Sequence, residues 1–210
     1  MGAFAIRPFG AADMLEVGKL ASFNEDRSHF GAWCIISSPL ILGHDLRDTN
    51  VTARVWPIIA NTEAIAINQA WAGHPGKLVR SWGGSPSRIL AEGSDAEQSG
   101  SKADASESGA SASDSVSESM QLWMKPLGDG VAAAFVLNVG CAANCTATIN
   151  IAADLGLRSA NVRVRDVWAH ADLGLSSGPT FTTDSIAAHD SRFYRFLESD
   201  IIEKHSRRSS

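Results

Sequence analysis

Phe30, Trp33 and Ser37, with Cys34 beside them, recur at three- and four-residue spacing and give residues 22–37 one apolar helical face. Ser22 followed by Glu25 fits a capping box, with Asn24 as a rival cap. Pro39 ends that helix, and "PLILG" reads as a short strand buried on both faces. "DTNV" is a second helix start, capped by Asp48 or Thr49, and Pro57 argues that this helix is short or begins late. "NTEAIAINQ" reads as a further helical turn and a loop. Helix, buried strand and helix together look like the last units of a parallel α/β array.

The pattern changes after about residue 77. "KLVRSW", "MQLWMKPL", "GVAAAFVLNVG", "CTATINIAADL", "NVRVRDVWAH" and "SRFYRFL" are short strand-like runs separated by Gly, Asn, Asp and Pro, as in an antiparallel sandwich. In "NVRVRDVW" the alternation sets Val162, Val164 and Asp166 on one face, and Arg163, Arg165 and Val167 on the other. Between the first two strands, residues 91–119 carry ten serines, no aromatic residue and one valine. Such a segment buries too little apolar area to offset chain entropy and reads as a disordered insertion. The expected organisation is an α/β part over 1–76, a sandwich over 77–197 with the disordered Ser/Ala/acidic insertion 92–119, and a disordered tail over 198–210.

Charge changes this picture only locally. Seven acids and one lysine fall within 92–119, so the net charge of −5 belongs to that segment. No basic stripe with interleaved aromatics supports nucleic-acid binding, and no apolar run reaches the roughly 20 residues of a membrane-spanning helix. "MGAFAIRPFG" lacks the apolar stretch and basic start of a secretory signal, and Ile6 stands where myristoylation wants Ser or Thr.

Candidate chemistry is sparse. Asp13, before the apolar pair Met14-Leu15, reads alone as a turn or cap residue. His44 and Asp45 end the buried strand, the end that faces the active site in a parallel barrel, although Asp45 equally suits a cap or a partner for Arg47. Cys141 and Cys145 lack two further zinc ligands nearby and lack redox spacing, so a disulfide pinching a hairpin is the better reading and implies an oxidising compartment. Cys34 reads as a small buried apolar side chain. Asn50 and Asn144 head N-x-[ST] sequons. Any of the six tryptophans can stack on a sugar, but core packing is the commoner role. No metal or cofactor site is expected.

The stretch from Asp13 to Gly76 resembles the end of the barrel in glycoside hydrolase family 27, the α-galactosidases and α-N-acetylgalactosaminidases. "ADMLEVG", "HFGAWCIISSPLILGHDLR" and "NTEAIAINQAWAG" match, in order and spacing, blocks of the type "DPDMLEVGN", "HFSLWALLAAPLLLGNDLR" and "NPEVIAINQDPLG". "LWMKPLGDGVAAAFVLN" and "VRDVWAHADLG…AAHDSRFYRF" resemble the family's C-terminal sandwich, where some members also carry a C-x-x-x-C disulfide. The resemblance implies the last quarter of a (β/α)8 TIM barrel followed by an antiparallel β-sandwich. It also implies retaining hydrolysis of terminal α-linked galactose by two carboxylates roughly 5 Å apart, one a nucleophile and the other an acid/base. Both would lie upstream of this segment, one in a "K-x-D" motif, and neither has a counterpart here.

Asp13 and Met14 match the "DM" whose residues line the sugar pocket, with Asp13 as a hydrogen-bonding group. Here Ala11-Ala12 stand for the family's Asp-Pro, His44 for its Asn, and Trp71 for a proline. The resemblance implies an α-galactoside substrate or glycan, a secreted or lysosomal/vacuolar parent, and a homodimer as one state open to that parent. Nucleic acid and membrane are not expected partners. The expectation is therefore a C-terminal fragment of a longer hydrolase, inactive by itself. Its sandwich should fold alone and its two-strand barrel piece should not. The alternative is a non-catalytic carbohydrate-binding or scaffold protein with a vestigial barrel.

Overall fold

The computed structural model describes residues 14–82, 120–141 and 145–199. Asp13, Asn144, the insertion 92–119 and residues 200–210 lie outside the described residues.

Three helices come first: α1 (Phe23–Ile35), α2 (Thr49–Ile59) and α3 (Thr62–Gln69). Their starts follow from short polar caps: the side chains of Ser22, Asp48 and Asn61 accept the orphan N–H groups of each first turn. Pro57 sits inside α2 rather than shortening it. Its ring removes one donor near the end, and Ala60 N–H still reaches Trp56 O at 3.0 Å, so the last turn holds.

"PLILG" does not form a strand. It makes one parallel bridge, Leu15 to Leu42, with Leu15 N–H donating to Ile41 O (2.7 Å) and Gly43 N–H donating to Leu15 O (3.0 Å). A strand buried on both faces needs partners on both edges, and among the described residues this run has one.

The rest is antiparallel. Strands β1 (Lys77–Trp82), β2 (Met120–Gly128), β3 (Val131–Asn138), β4 (Thr148–Asn150), β5 (Asn161–Asp166), β6 (Ala171–Ser177), β7 (Thr180–Thr182) and β8 (Ser191–Glu198) form two sheets. The larger has order β1-β2-β3-β8-β5-β6, and β4-β7 make the smaller. Half of "CTATINIAADL" is instead the short helix α4 (Ile151–Leu155), started by Asn150 and stopped by Gly156 in the left-handed region. β8 runs to Glu198, whose carboxylate accepts from the N–H of Ser159 (3.1 Å).

The larger sheet is covered on both faces. Alternate residues Leu122, Ala134, Val136, Val162, Val164, Tyr194 and Phe196 face β4, β7 and α4. The other alternation, Trp123, Ala133, Phe135, Leu137 and Phe193, joins Phe30, Cys34 and Ile35 of α1 in one continuous cluster. Helices and sheet therefore share a core. α1 lies so close to the sheet that a Cβ on Gly31 would stand 2.3 Å from Phe135 and 2.8 Å from Trp168. Phe135 and Phe193 meet edge to face at 5.4 Å, a contact worth about 1 kcal/mol beyond area burial.

Polar clamps reinforce this junction. Arg27 forks Asp190 (2.7 and 2.6 Å), Arg165 forks Glu63 (both 2.8 Å), and Asn61 Nδ2 donates to Val167 O (2.9 Å). Lys125 on β2 is wholly buried, and its ammonium donates to Ser37 Oγ (2.6 Å) and to the carbonyls of Ile67 and Asn68 at the end of α3. The helix C-terminus supplies partial negative charge where no carboxylate is present.

Candidate functional site

The Leu15–Leu42 bridge is parallel, so Glu16–Gly18 and Gly43–Asp45 leave from the same end of the pair. In a parallel barrel that end carries the chemistry. Met14 is 39% exposed, and its thioether lies against Gly43, where an added Cβ would meet Sδ at 3.0 Å.

The turn beyond Leu15 is held from below. Gly18 takes φ +93°, open to glycine alone at low cost, and a Cβ there would meet Val51 at 2.8 Å. Gly18 N–H donates to Asp26 Oδ1 (2.7 Å), and Arg54 Nη1 donates to Asp26 Oδ2 (2.6 Å) while Nη2 reaches Gly18 O (3.2 Å). Asp26 is fully buried. His29, four-fifths of a turn further along α1, accepts the Glu16 N–H at Nε2 (3.1 Å) and stacks on Trp33 at 4.0 Å. Burial lowers its pKa to about 4, so it works as a neutral acceptor.

His44 is buried, with Nε2 3.4 Å from Thr52 Oγ1 and Nδ1 unpartnered among the described residues. Asp45 is exposed and forks Arg47 (3.0 and 2.8 Å), which holds its carboxyl below the usual range. Of the residues singled out from sequence, Met14, His44 and Asp45 gather at one end of the bridge, and Asp13 precedes Met14 outside the described residues. Asn50 is exposed in the first turn of α2. Cys141 and Cys145 form a disulfide.

Asp26, His29 and Arg54, which fix the turn, had no distinctive sequence signal. Asp26 and His29 fall on the helix as ordinary polar residues, and only the three-residue spacing into "HFGAW" hints at a shared face.

Apart from that turn, a hollow of about 300 Å³ lies where α1 meets the sheet, lined by Arg27, Asp166, Trp168, Asp184, Asp190 and Arg192. Asp190 is engaged by Arg27 on both oxygens, and Asp166 Oδ1 accepts from Trp168 N–H (2.9 Å) and Ala169 N–H (3.0 Å). No group of three or more His, Cys, Asp or Glu among the described residues converges as a metal site, and no described helix is long and apolar enough to cross a membrane.

Comparison with known proteins agrees with this geometry. Residues 117–196 match the family model described as alpha galactosidase C-terminal beta sandwich domain, and residues 7–70 match the one described as Alpha galactosidase A. Alpha-galactosidase 3 of Arabidopsis thaliana is 30% identical over 185 residues, 87% of this chain and 34% of that one. Alpha-galactosidase A of Cellvibrio japonicus is 49% identical over 57 residues, 27% of this chain and 14% of that one. The crystal structure of alpha-galactosidase I from Mortierella vinacea superposes with TM-score 0.62 at 27% identity, over 89% of this chain and 39% of that one. The chain spans about a third of the length of the curated relatives it matches.

Proposed function

The chain belongs to the α-galactosidase family of glycoside hydrolases, and from that premise we propose that it forms the C-terminal flank of a site that removes terminal α-linked galactose with retention. Residues 1–76 then supply the end of the catalytic barrel, and residues 77–197 the sandwich that braces it. Asp13 and Met14 contact the sugar, and His44 and Asp45 shape the rim. The observation that carries this reading is the parallel Leu15–Leu42 bridge, with the turn over residues 16–18 and His44-Asp45 leaving from its same end.

Hydrolysis with retention needs two carboxyls facing each other across the bond, one of them able to give up a proton. Asp45 is tied to Arg47 and Asp26 to Arg54 and Gly18, so neither serves. In the hollow beside α1, Asp190 has both oxygens taken by guanidinium donors and Asp166 Oδ1 is held by two backbone N–H groups, which leaves Asp184 as the one carboxyl there with no hydrogen bond among the described residues, where retention needs two. The 210-residue chain by itself is therefore expected to be inactive. A secreted or lysosomal/vacuolar setting, with glycans on Asn50 and Asn144, is the companion proposal; the disulfide and the exposure of Asn50 support it.

The assay is turnover of a chromogenic α-galactoside. The purified chain should give none above buffer. A chimera in which it replaces the corresponding third of the Mortierella vinacea enzyme should turn the substrate over. Activity of the chain alone, abolished by Asp13→Ala, would overturn the inactivity; a folded but dead chimera would overturn the family function.

A further inference from the structure

The hollow between α1 and the sheet carries an inference that does not depend on hydrolysis. It is bordered by groups whose hydrogen-bonding capacity is partly unused among the described residues. Asp184 is exposed and has no side-chain partner there, and Asp166 Oδ2 has none while Oδ1 accepts two backbone N–H groups. Arg27 spends Nε and Nη2 on Asp190 and leaves Nη1 over. Arg192 spends both terminal nitrogens on Asp190, Ser191 and Ser185, and leaves Nε over. The indole of Trp168, packed edge-on against Phe193 at 5.4 Å, makes one wall.

The mixture of signs decides the ligand class. Two guanidinium groups oppose a cation, and the carboxylates do not converge as a metal site. Three carboxylates oppose an anion. A neutral polyhydroxylated ring meets both: its hydroxyls donate to Asp184 and Asp166 and accept from Arg27 or Arg192, while its apolar face lies on the tryptophan wall. A hollow of about 300 Å³ holds one such ring. We propose that this junction is a non-catalytic binding site for a single neutral hexose residue, held by Asp184, Asp166 and Arg192 beside Trp168.

The test uses the full 210-residue chain with 15N-labelled tryptophan. The Trp168 indole signal is assigned by its disappearance in Trp168→Phe. D-Galactose, D-glucose and D-mannose are titrated separately, with inorganic phosphate and calcium chloride as ionic probes. A saturable shift of that signal with a hexose is expected at millimolar concentration. Asp184→Ala should weaken it about tenfold, the scale of one lost hydrogen bond. Asp184 is exposed, so that variant should unfold at the same temperature as the parent. Galactose as first probe rests on the proposed family function; a response to glucose or mannose alone upholds this site and counts against that reading. No saturable hexose shift up to about 100 mM, a shift unchanged by Asp184→Ala, or a response only to phosphate or calcium would overturn the proposal.

Discussion

Lys125→Ala should lower the unfolding free energy by about 4 kcal/mol. Truncation removes three methylenes from a fully buried position, about 2.4 kcal/mol at about 0.8 each. It also leaves the buried Ile67 carbonyl without its ammonium donor, about 1–3 kcal/mol if no water replaces it, while Ser37 Oγ still donates to Asn68 O (3.1 Å). Relief from holding a charge out of water works the other way, which keeps the total near 4. That burial brings the Lys125 pKa down to about 8, and three oxygen acceptors keep the ammonium protonated at neutral pH. Lys125→Met keeps most of the apolar stem and loses only the donor, so about half the destabilisation is expected. Urea unfolding of the two variants checks both values; equal losses would show that the ammonium alone, not the stem, matters.

Acid should weaken the protein by about 3 kcal/mol between pH 7 and pH 4, mostly through His29. The folded pKa is about 4 against an ordinary value of 6.5. Between those limits the unfolded chain binds the proton and the folded chain does not, so stability is full above 6.5 and drains as pH falls towards 4. At 1.36 kcal/mol per pKa unit, the difference gives the stated size. The consequence is local as well, because a proton on Nε2 removes the acceptor that holds Glu16 N–H and hence the turn following Met14. Glu63 titrates in a lower window. The hydrogen bonds from Arg165 lower its pKa to about 2, so its contribution is present above about 4.5 and is lost towards 2. His29→Gln should flatten the upper limb and leave the lower one. Denaturant midpoints at half-unit pH steps measure this, and an unchanged upper limb in the variant would assign the effect elsewhere.

Local chemistry explains which elements were legible. Ser22 and Asp48 are short polar caps placed before helical runs, and both helices start there. The alternation in β5 survives because Val162, Val164 and Asp166 are buried and Asn161 and Arg163 are exposed. β6 escaped because its burial signal is missing: Leu173 and Leu175 are exposed on an edge strand. The helix hidden in "TINIAADLG" did carry punctuation, Asn150 before it and Gly156 after it, but its apolar residues run like a strand.

The site was legible as an end of a barrel only through the resemblance of whole blocks. What fixes its geometry, Asp26, His29 and Arg54, depends on contacts across 8 to 36 residues that no local pattern encodes. The same holds for Lys125, a lysine at an inward-facing strand position, explained only by the helix ends above it. The expectation that the barrel piece stays unfolded beside a folded sandwich turns on the apolar cluster running from Phe30 to Phe193, which no local pattern encodes.

That shared core is what holds the turn at Met14 and the rim at His44 in place, and native-state hydrogen exchange of the 210-residue chain tests it most directly. Amides of α1, including Phe30 to Cys34, should open with the same free energy as those of β3 and β8 and rise with them as denaturant is withdrawn. Exchange of α1 through a separate opening several kcal/mol lower, with the sheet still protected, would mean that helices and sandwich are independent and that this chain does not build the flank of the proposed sugar site.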